Sequence, residues 1–152
     1  MRRKDKEVVD REFIDSVMSR SQVCRIGLCQ DGVPYIVPMC FGYDGESIYL
    51  HSAKEGRKID FLKSNPAVCF EIDIDCELKP SDKPCSFSMK YRSVMGYGEV
   101  SFIEDEEDKR RALGIILKHY DSGGSGLGEV SLEKISVFRI DIAEMTAKKS
   151  GY

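Results

Sequence analysis

The chain has 152 residues, 41% of them hydrophobic, 32% charged and 9% aromatic. A chain of this length folds as one domain, residues 1–152, with enough buried surface to need no disulfide or metal staples, and the composition excludes a disordered or fibrous protein. Twenty-three basic residues against 26 acidic ones give a formal charge of −3, which excludes a general nucleic-acid binder, because neutralising phosphates requires a basic excess.

The first residues are basic, but Glu7, Asp10 and Glu12 interrupt any apolar stretch that would make them a signal peptide. No apolar run approaches the roughly 20 residues of a membrane span, so a soluble, cytoplasmic protein with no membrane partner is expected. Cys24, Cys29, Cys40, Cys69, Cys76 and Cys85 lack paired CxxC spacing and read as free thiols of a reducing compartment.

A helix opens the chain, capped by Asp10, with Phe13, Ile14, Val17 and Met18 at helical spacing, and it ends near Ser21. Residues 23–29, 33–41 and 47–51 then read as a three-strand antiparallel meander turned at Asp31-Gly32 and Asp44-Gly45. Pro34 and Pro38 have no amide hydrogen, so the second strand must leave one side unpaired or bulge. Ser52-Ala53-Lys54-Glu55 fits a capping box, followed by a helix that buries Ile59 and Leu62, keeps Phe61 at its edge and stops at Asn65-Pro66.

Residues 67–75 alternate Val68, Phe70, Ile72 and Ile74 against polar neighbours, a half-buried strand. Residues 76–89, with Pro80 and Pro84, read as a long loop. Residues 90–103 form a longer strand that Gly96 and Gly98 allow to bend or bulge. Asp105 caps a helix over 106–119 whose inward face is Ala112, Leu113, Ile116 and Tyr120. Residues 121–128 are a Gly/Ser-rich connection, and 135–142, continuing toward 148, close the chain as a strand. The pattern predicts a mainly β fold, six or so chiefly antiparallel strands in a small barrel with a few peripheral helices, in preference to an open α+β sheet.

The chemistry concentrates in residues 48–58. A helix start offers free backbone N–H groups and the positive end of the helix dipole, and here the Ser52 hydroxyl, Arg57 and Lys58 join them, a combination suited to a terminal phosphate. His51, just before it, changes protonation near neutrality and is a candidate proton donor or substrate clamp, or simply a hydrogen-bonding group. His119 is explained by its place at a helix C-terminus. Gly123-Gly-Ser-Gly126 lacks the lysine and the strand-before-helix setting of a phosphate loop. Asp73, Asp75 and Glu77 alternate as a solvated strand face does, with a cation site as the less favoured alternative.

Four stretches in order, residues 32–43, 51–58, Asn65-Pro66-Ala-Val-Cys-Phe70 and Tyr91-Arg-Ser-Val-Met-Gly-Tyr-Gly98, resemble the pyridoxamine 5′-phosphate oxidase-like flavoproteins, most of all their nitroimidazole-resistance branch. The resemblance spans roughly residues 8–148. It implies a split β-barrel, FMN as cofactor and a homodimer with the flavin at the subunit interface. It implies that Ile36, Val37, Pro38, Met39, Cys40 and Phe41 lie along the flavin ring, that His51 and Ser52 close over the phosphate and ribityl chain, and that Arg57 and Lys58 bind the phosphate. Arg92 and Ser93 would reach the flavin from the other subunit, and Tyr91 and Tyr97 are candidates for the cavity wall.

The C-terminal arginine and histidine region of the true pyridoxamine phosphate oxidases has no counterpart, which disfavours vitamin B6 oxidation, and Pro38 removes an amide donor that many relatives offer the flavin. The implied activity is an FMN-dependent oxidoreductase, nitroreductase-like, acting on a small, electron-poor or aromatic molecule. The alternatives are a non-catalytic flavin-binding or sensing module, and the same barrel holding haem or the deazaflavin F420.

Overall fold

The computed structural model describes residues 3–121 and 131–152. The order of elements is β1 (Glu7–Val8), α1 (Arg11–Arg20), β2 (Cys24–Gln30), β3 (Val33–Met39), β4 (Phe41–Tyr43), β5 (Ser47–Ala53), α2 (Arg57–Ser64), β6 (Ala67–Lys79), β7 (Ser88–Ile103), α3 (Glu106–Tyr120) and β8 (Ile135–Ser150), with short 3-10 turns between some of them. The Asp10 carboxylate caps α1 by accepting from the Glu12 N–H, and Asp105 caps α3 by accepting from Glu107 and Asp108. Both caps satisfy donors that a helix start leaves without an internal partner. Asp31 and Gly32 both have positive φ, the conformation that a two-residue hairpin requires, and they join β2 to β3 in register from Gln30 opposite Val33.

All strands pair antiparallel in the order β3-β2-β6-β7-β8-β5-β4, with β1 added on β8. Both expected hairpin turns of the meander over residues 23–51 form, but the second, at Asp44-Gly45, joins β5 to β4, with Phe41 opposite Leu50, and not to β3. The expected second strand is broken at Cys40, and β3 has no pairing with β5, which lies at the far side of the sheet between β8 and β4. Pro34 and Pro38 account for this, since β3 pairs only with β2 and leaves its other side as an edge. The sheet is open, yet its two end strands, β3 and β4, are consecutive in the chain with Cys40 alone between them. The sheet must curl until its edges meet at that residue, which makes it a barrel with a split.

The curl encloses the main core, where Phe41, Phe70, Phe138, Met18, Ile48, Leu50 and Ile72 are wholly buried. A second cluster lies outside it. Ala112, Leu113 and Ile116 of α3 pack with Leu132 and Val137, so that adjacent residues Val137 and Phe138 of β8 serve opposite faces. α3 lies so close to β4 that a Cβ on Gly42 would stand 2.7 Å from the Ile116 backbone nitrogen.

Three boundaries differ from expectation. β6 continues beyond Asp75 through a bulge where Asp75 takes φ 55°, and pairs with β7 as far as Lys79 opposite Ser88, so the expected loop over 76–89 is shortened at both ends to the connection over 80–87. β5 runs through Ser52 to Ala53, and α2 starts only at Arg57, with Gly56 as its N-cap and no side-chain cap. The Ser52 hydroxyl donates instead to the Ala53 carbonyl, so the capping box does not form. The expected kink near Gly98 is present as a register shift between β7 and β8. The Gly/Ser-rich stretch over 122–128 lies outside the described residues. No helix among the described residues is long and apolar enough to cross a membrane.

Candidate functional site

The split in the sheet and the start of α2 define one region. Ile59 and Asp60 donate back to the Gly56 carbonyl, which leaves the N–H groups of Arg57 and Lys58 with no acceptor among the described residues. Gly56 has φ 119°, and a Cβ there would meet nothing within 4 Å, so the space before the helix is open. The Arg57 guanidinium lies 5.8 Å from the ring centroid of Tyr35 in β3, and Tyr35 in turn packs on Phe61 at 5.4 Å. This places the α2 start beside the edge strand.

His51 stands opposite Val137 of β8, on the face of β5 turned toward α3. Burial, reinforced by the nearby Lys58 charge, lowers the imidazole below its ordinary value, and burial also lowers the Lys58 ammonium. His51 is therefore a neutral ring near pH 7, able to donate from one nitrogen and accept at the other. It opens, with Cys40, on an almost wholly apolar cavity of about 390 Å³ whose wall includes Leu113, Ile116 and Tyr120 of α3 and Ile135 of β8.

The structure thus brings Cys40, His51, Arg57 and Lys58 together across the split. Of the β3 segment, Ile36 and Pro38 are exposed on the outer surface, Val37 is half-buried, and Met39 and Phe41 belong to the core. Ser52 lies beside them with its hydroxyl proton given to Ala53.

Arg92 and Ser93 are elsewhere. Ser93 lies ten residues before Ile103 on β7, and Ile103 pairs with Val137, the partner of His51. At a rise of roughly 3.3 Å per residue that is about 33 Å of strand. Arg92 is already engaged there, ion-paired with Asp75 and stacked 4.0 Å from the Tyr152 ring centroid. Tyr91 lies under the Lys6 ammonium and Tyr97 is exposed on the outer face, so neither lines the His51 cavity.

The carboxylates considered for a cation each hold a cationic side chain: Asp73 with Arg25, Asp75 with Arg20 and Arg92, Glu77 with Lys90. Among the described residues no cluster of three or more acidic, histidine or cysteine ligands could hold a metal. His119 presents Nε2 at 2.7 Å from the Ser21 carbonyl, which can only accept, so that nitrogen carries the hydrogen and the ring serves the packing of α3 on Phe41.

The residue that the sequence did not single out for the site is Tyr120. Its hydroxyl accepts from the Phe41 N–H and donates to the Gln22 carbonyl, both at 2.9 Å, and burial together with the neighbouring Cys40 raises its pKa to about 12. It bridges the β3–β4 junction and the start of β2. Helical spacing alone placed it on the inward face of α3, and its partners are 79 and 98 residues away, beyond the reach of any local signal.

Comparisons with known proteins agree with this fold. A 5-nitroimidazole antibiotic resistance candidate from Bacteroides thetaiotaomicron is 36% identical in solved-structure comparison, covering 93% of this chain and 85% of its own, with a TM-score of 0.81. A flavocytochrome from Azotobacter vinelandii (22% identical, 100% and 72% of the two chains, TM-score 0.86) and an FAD- and haem-binding protein from Mycobacterium smegmatis (19%, 97% and 74%, TM-score 0.86) share the fold. An uncharacterised protein of Rhizobium meliloti (strain 1021) is 37% identical over 65 residues, a match that spans 43% of this chain and 42% of that relative. The family model described as pyridoxamine 5′-phosphate oxidase matches residues 10–149, which takes in every strand of the sheet except β1 and the last residue of β8. With an open antiparallel sheet split at Cys40 and a cationic helix start beside that split, the chain belongs to the pyridoxamine 5′-phosphate oxidase family.

Proposed function

We propose that this protein binds FMN across the split and acts as an oxidoreductase on a small, electron-poor or aromatic molecule, in a homodimer whose interface holds the flavin. The observation that carries the reading is the unpartnered start of α2, with Arg57 and Lys58 as its first two residues, set beside both the exposed edge of β3 and His51. Two free N–H groups, two cations and the dipole end fit a phosphate monoester. The bound flavin would supply the electron transfer, and the protein's part is to hold it, exclude water and move protons.

In that arrangement the exposed Ile36 and Pro38 lie along the ring plane, and Arg57 and Lys58 fix the phosphate. The apolar cavity admits the substrate, where a neutral His51 accepts or donates a proton at one ring nitrogen. The outward row Ile36, Gly27, Cys69, Tyr97, with Met95 beside it, crosses four strands, and Ile36 and Tyr97 are 68% and 51% exposed. Such a face suits burial against a second copy, which would also bring its own Arg92 and Ser93 to the flavin.

A second reading keeps the split barrel and exchanges the ligand. A histidine opening on a 390 Å³ apolar cavity is also a setting for an axial ligand to haem. The visible spectrum of the purified protein separates the two, since flavin and haem absorb in different bands. For the phosphate assignment, Arg57→Ala with Lys58→Ala removes two charge-assisted contacts, about 3 kcal/mol together, and is expected to weaken FMN binding by roughly 100-fold. Unchanged FMN affinity in that variant would refute the assignment.

A further inference from the structure

Alongside α2 lies a second cavity, of about 410 Å³, that the flavin reading does not use. Its volume falls within the roughly 300–1,000 Å³ of small-molecule sites. Lys54, in the loop that leads into α2, and Lys63, in the last turn of the helix, both line it.

Its chemistry is divided. Neither Lys54 nor Lys63 has a hydrogen-bond acceptor or ion-pair partner among the described residues. Lys109 keeps only 11% of its side-chain exposure, and Glu104 is 3.8 Å from its ammonium, beyond hydrogen-bond distance. Glu55 and Glu104 leave the lining with one net positive charge. The opposite wall is apolar, built by Phe102 of β7 and Ile135 of β8. Ile135 also lines the His51 cavity, so the two spaces share a wall residue.

We infer that this cavity binds an adenylate group. Lys54 and Lys63 take its phosphate, the purine lies against Phe102 and Ile135, and the two glutamates accept from ribose hydroxyls or the exocyclic amine. Lys54 and Glu55, which line it, directly precede Gly56, the N-cap of α2, so the cavity adjoins the loop that leads to the free N–H groups of Arg57 and Lys58. The adenylate can therefore come from either of two sources: the AMP half of a flavin dinucleotide whose other phosphate occupies the helix start, or the AMP half of a nicotinamide dinucleotide bound beside FMN. The choice between these sources rests on the flavin reading; the adenylate site itself does not.

The test uses the purified full chain and its Lys54→Ala/Lys63→Ala variant, titrated with FMN, FAD and AMP, and with AMP and NADH after loading with FMN. If the flavin supplies the adenylate, FAD binds at least tenfold more tightly than FMN, and the variant erases that difference while FMN affinity is unchanged. If the reductant supplies it, AMP and NADH bind the FMN-loaded protein, and the variant weakens both by at least tenfold. AMP binding to a chain that takes no flavin would sustain the adenylate site and sink the flavin reading. Equal affinities for FMN and FAD, with no AMP or NADH binding, would overturn the adenylate site and leave the flavin reading standing.

Discussion

Tyr120→Phe isolates the hydroxyl that ties the split together. The aromatic body of the side chain is kept, so packing against His119 is preserved, and only two hydrogen bonds disappear. Each is worth about 0.5–1.5 kcal/mol net, and the Phe41 N–H, beside a side chain with no exposure, has little water to turn to. The Gln22 carbonyl is nearer solvent, because Tyr120 is 42% exposed, and rehydrates at small cost. The sum is about 2 kcal/mol, which for a chain of this length lowers the melting temperature by roughly 4–8 °C. Thermal unfolding followed by circular dichroism measures it. The same junction carries Cys40 between the two sheet edges, so FMN affinity should fall as well, while Leu117→Ala, on the same cavity but without a bond to the junction, should affect it less. A shift below about 1 °C, with flavin binding unchanged, would refute the claim that this hydroxyl holds the split.

Other consequences can be checked separately. A Cβ on Gly96 would stand 2.5 Å from the Glu144 carbonyl oxygen and press into the buried Phe70 ring, so Gly96→Ala should lose about 3 kcal/mol or fail to fold, read from denaturant unfolding. With only two histidines in the chain, the His51 ring can be followed by proton NMR. Its midpoint should lie below the ordinary 6.5, and should rise in Lys58→Ala, where the like charge is gone. The folded chain then binds fewer protons than the unfolded one between the depressed value and 6.5, so this group makes stability fall as pH drops through that window, and His51→Gln should flatten the dependence. A His51 midpoint at or above 6.5 in the ligand-free protein would contradict the burial argument.

Much of the fold was legible because its signals are local. Asp10 and Asp105 cap helices through donors two or three residues away, Asp31-Gly32 turns a hairpin by its own φ angles, and the alternation of Val68, Phe70 and Ile72 marks a buried face. The capping box failed on the same scale. Ser52 and Glu55 have the spacing, but seven consecutive pairs with β8, from Ser47 to Ala53, keep the chain extended past Ser52. Tertiary pairing overrode a local preference worth about 1 kcal/mol.

The candidate site was legible in its charges and not in its closure. Arg57, Lys58 and His51 lie within eight residues, and their chemistry could be read from the chain. Their relation to β3 could not, because nothing between residues 33 and 51 states that β3 and β5 lie on opposite sides of the sheet. The two prolines carry part of that information. By removing donors at positions 34 and 38 they forbid a second partner for β3, and a strand that cannot be paired on one side must form an edge. Because β4 follows after one residue and is the other edge, the same prolines determine where the barrel stays open. The opening falls at Cys40, next to the His51 cavity and within reach of the hydroxyl of Tyr120. A proline that costs the sheet a hydrogen bond thereby creates the gap in which a planar ligand can lie against backbone.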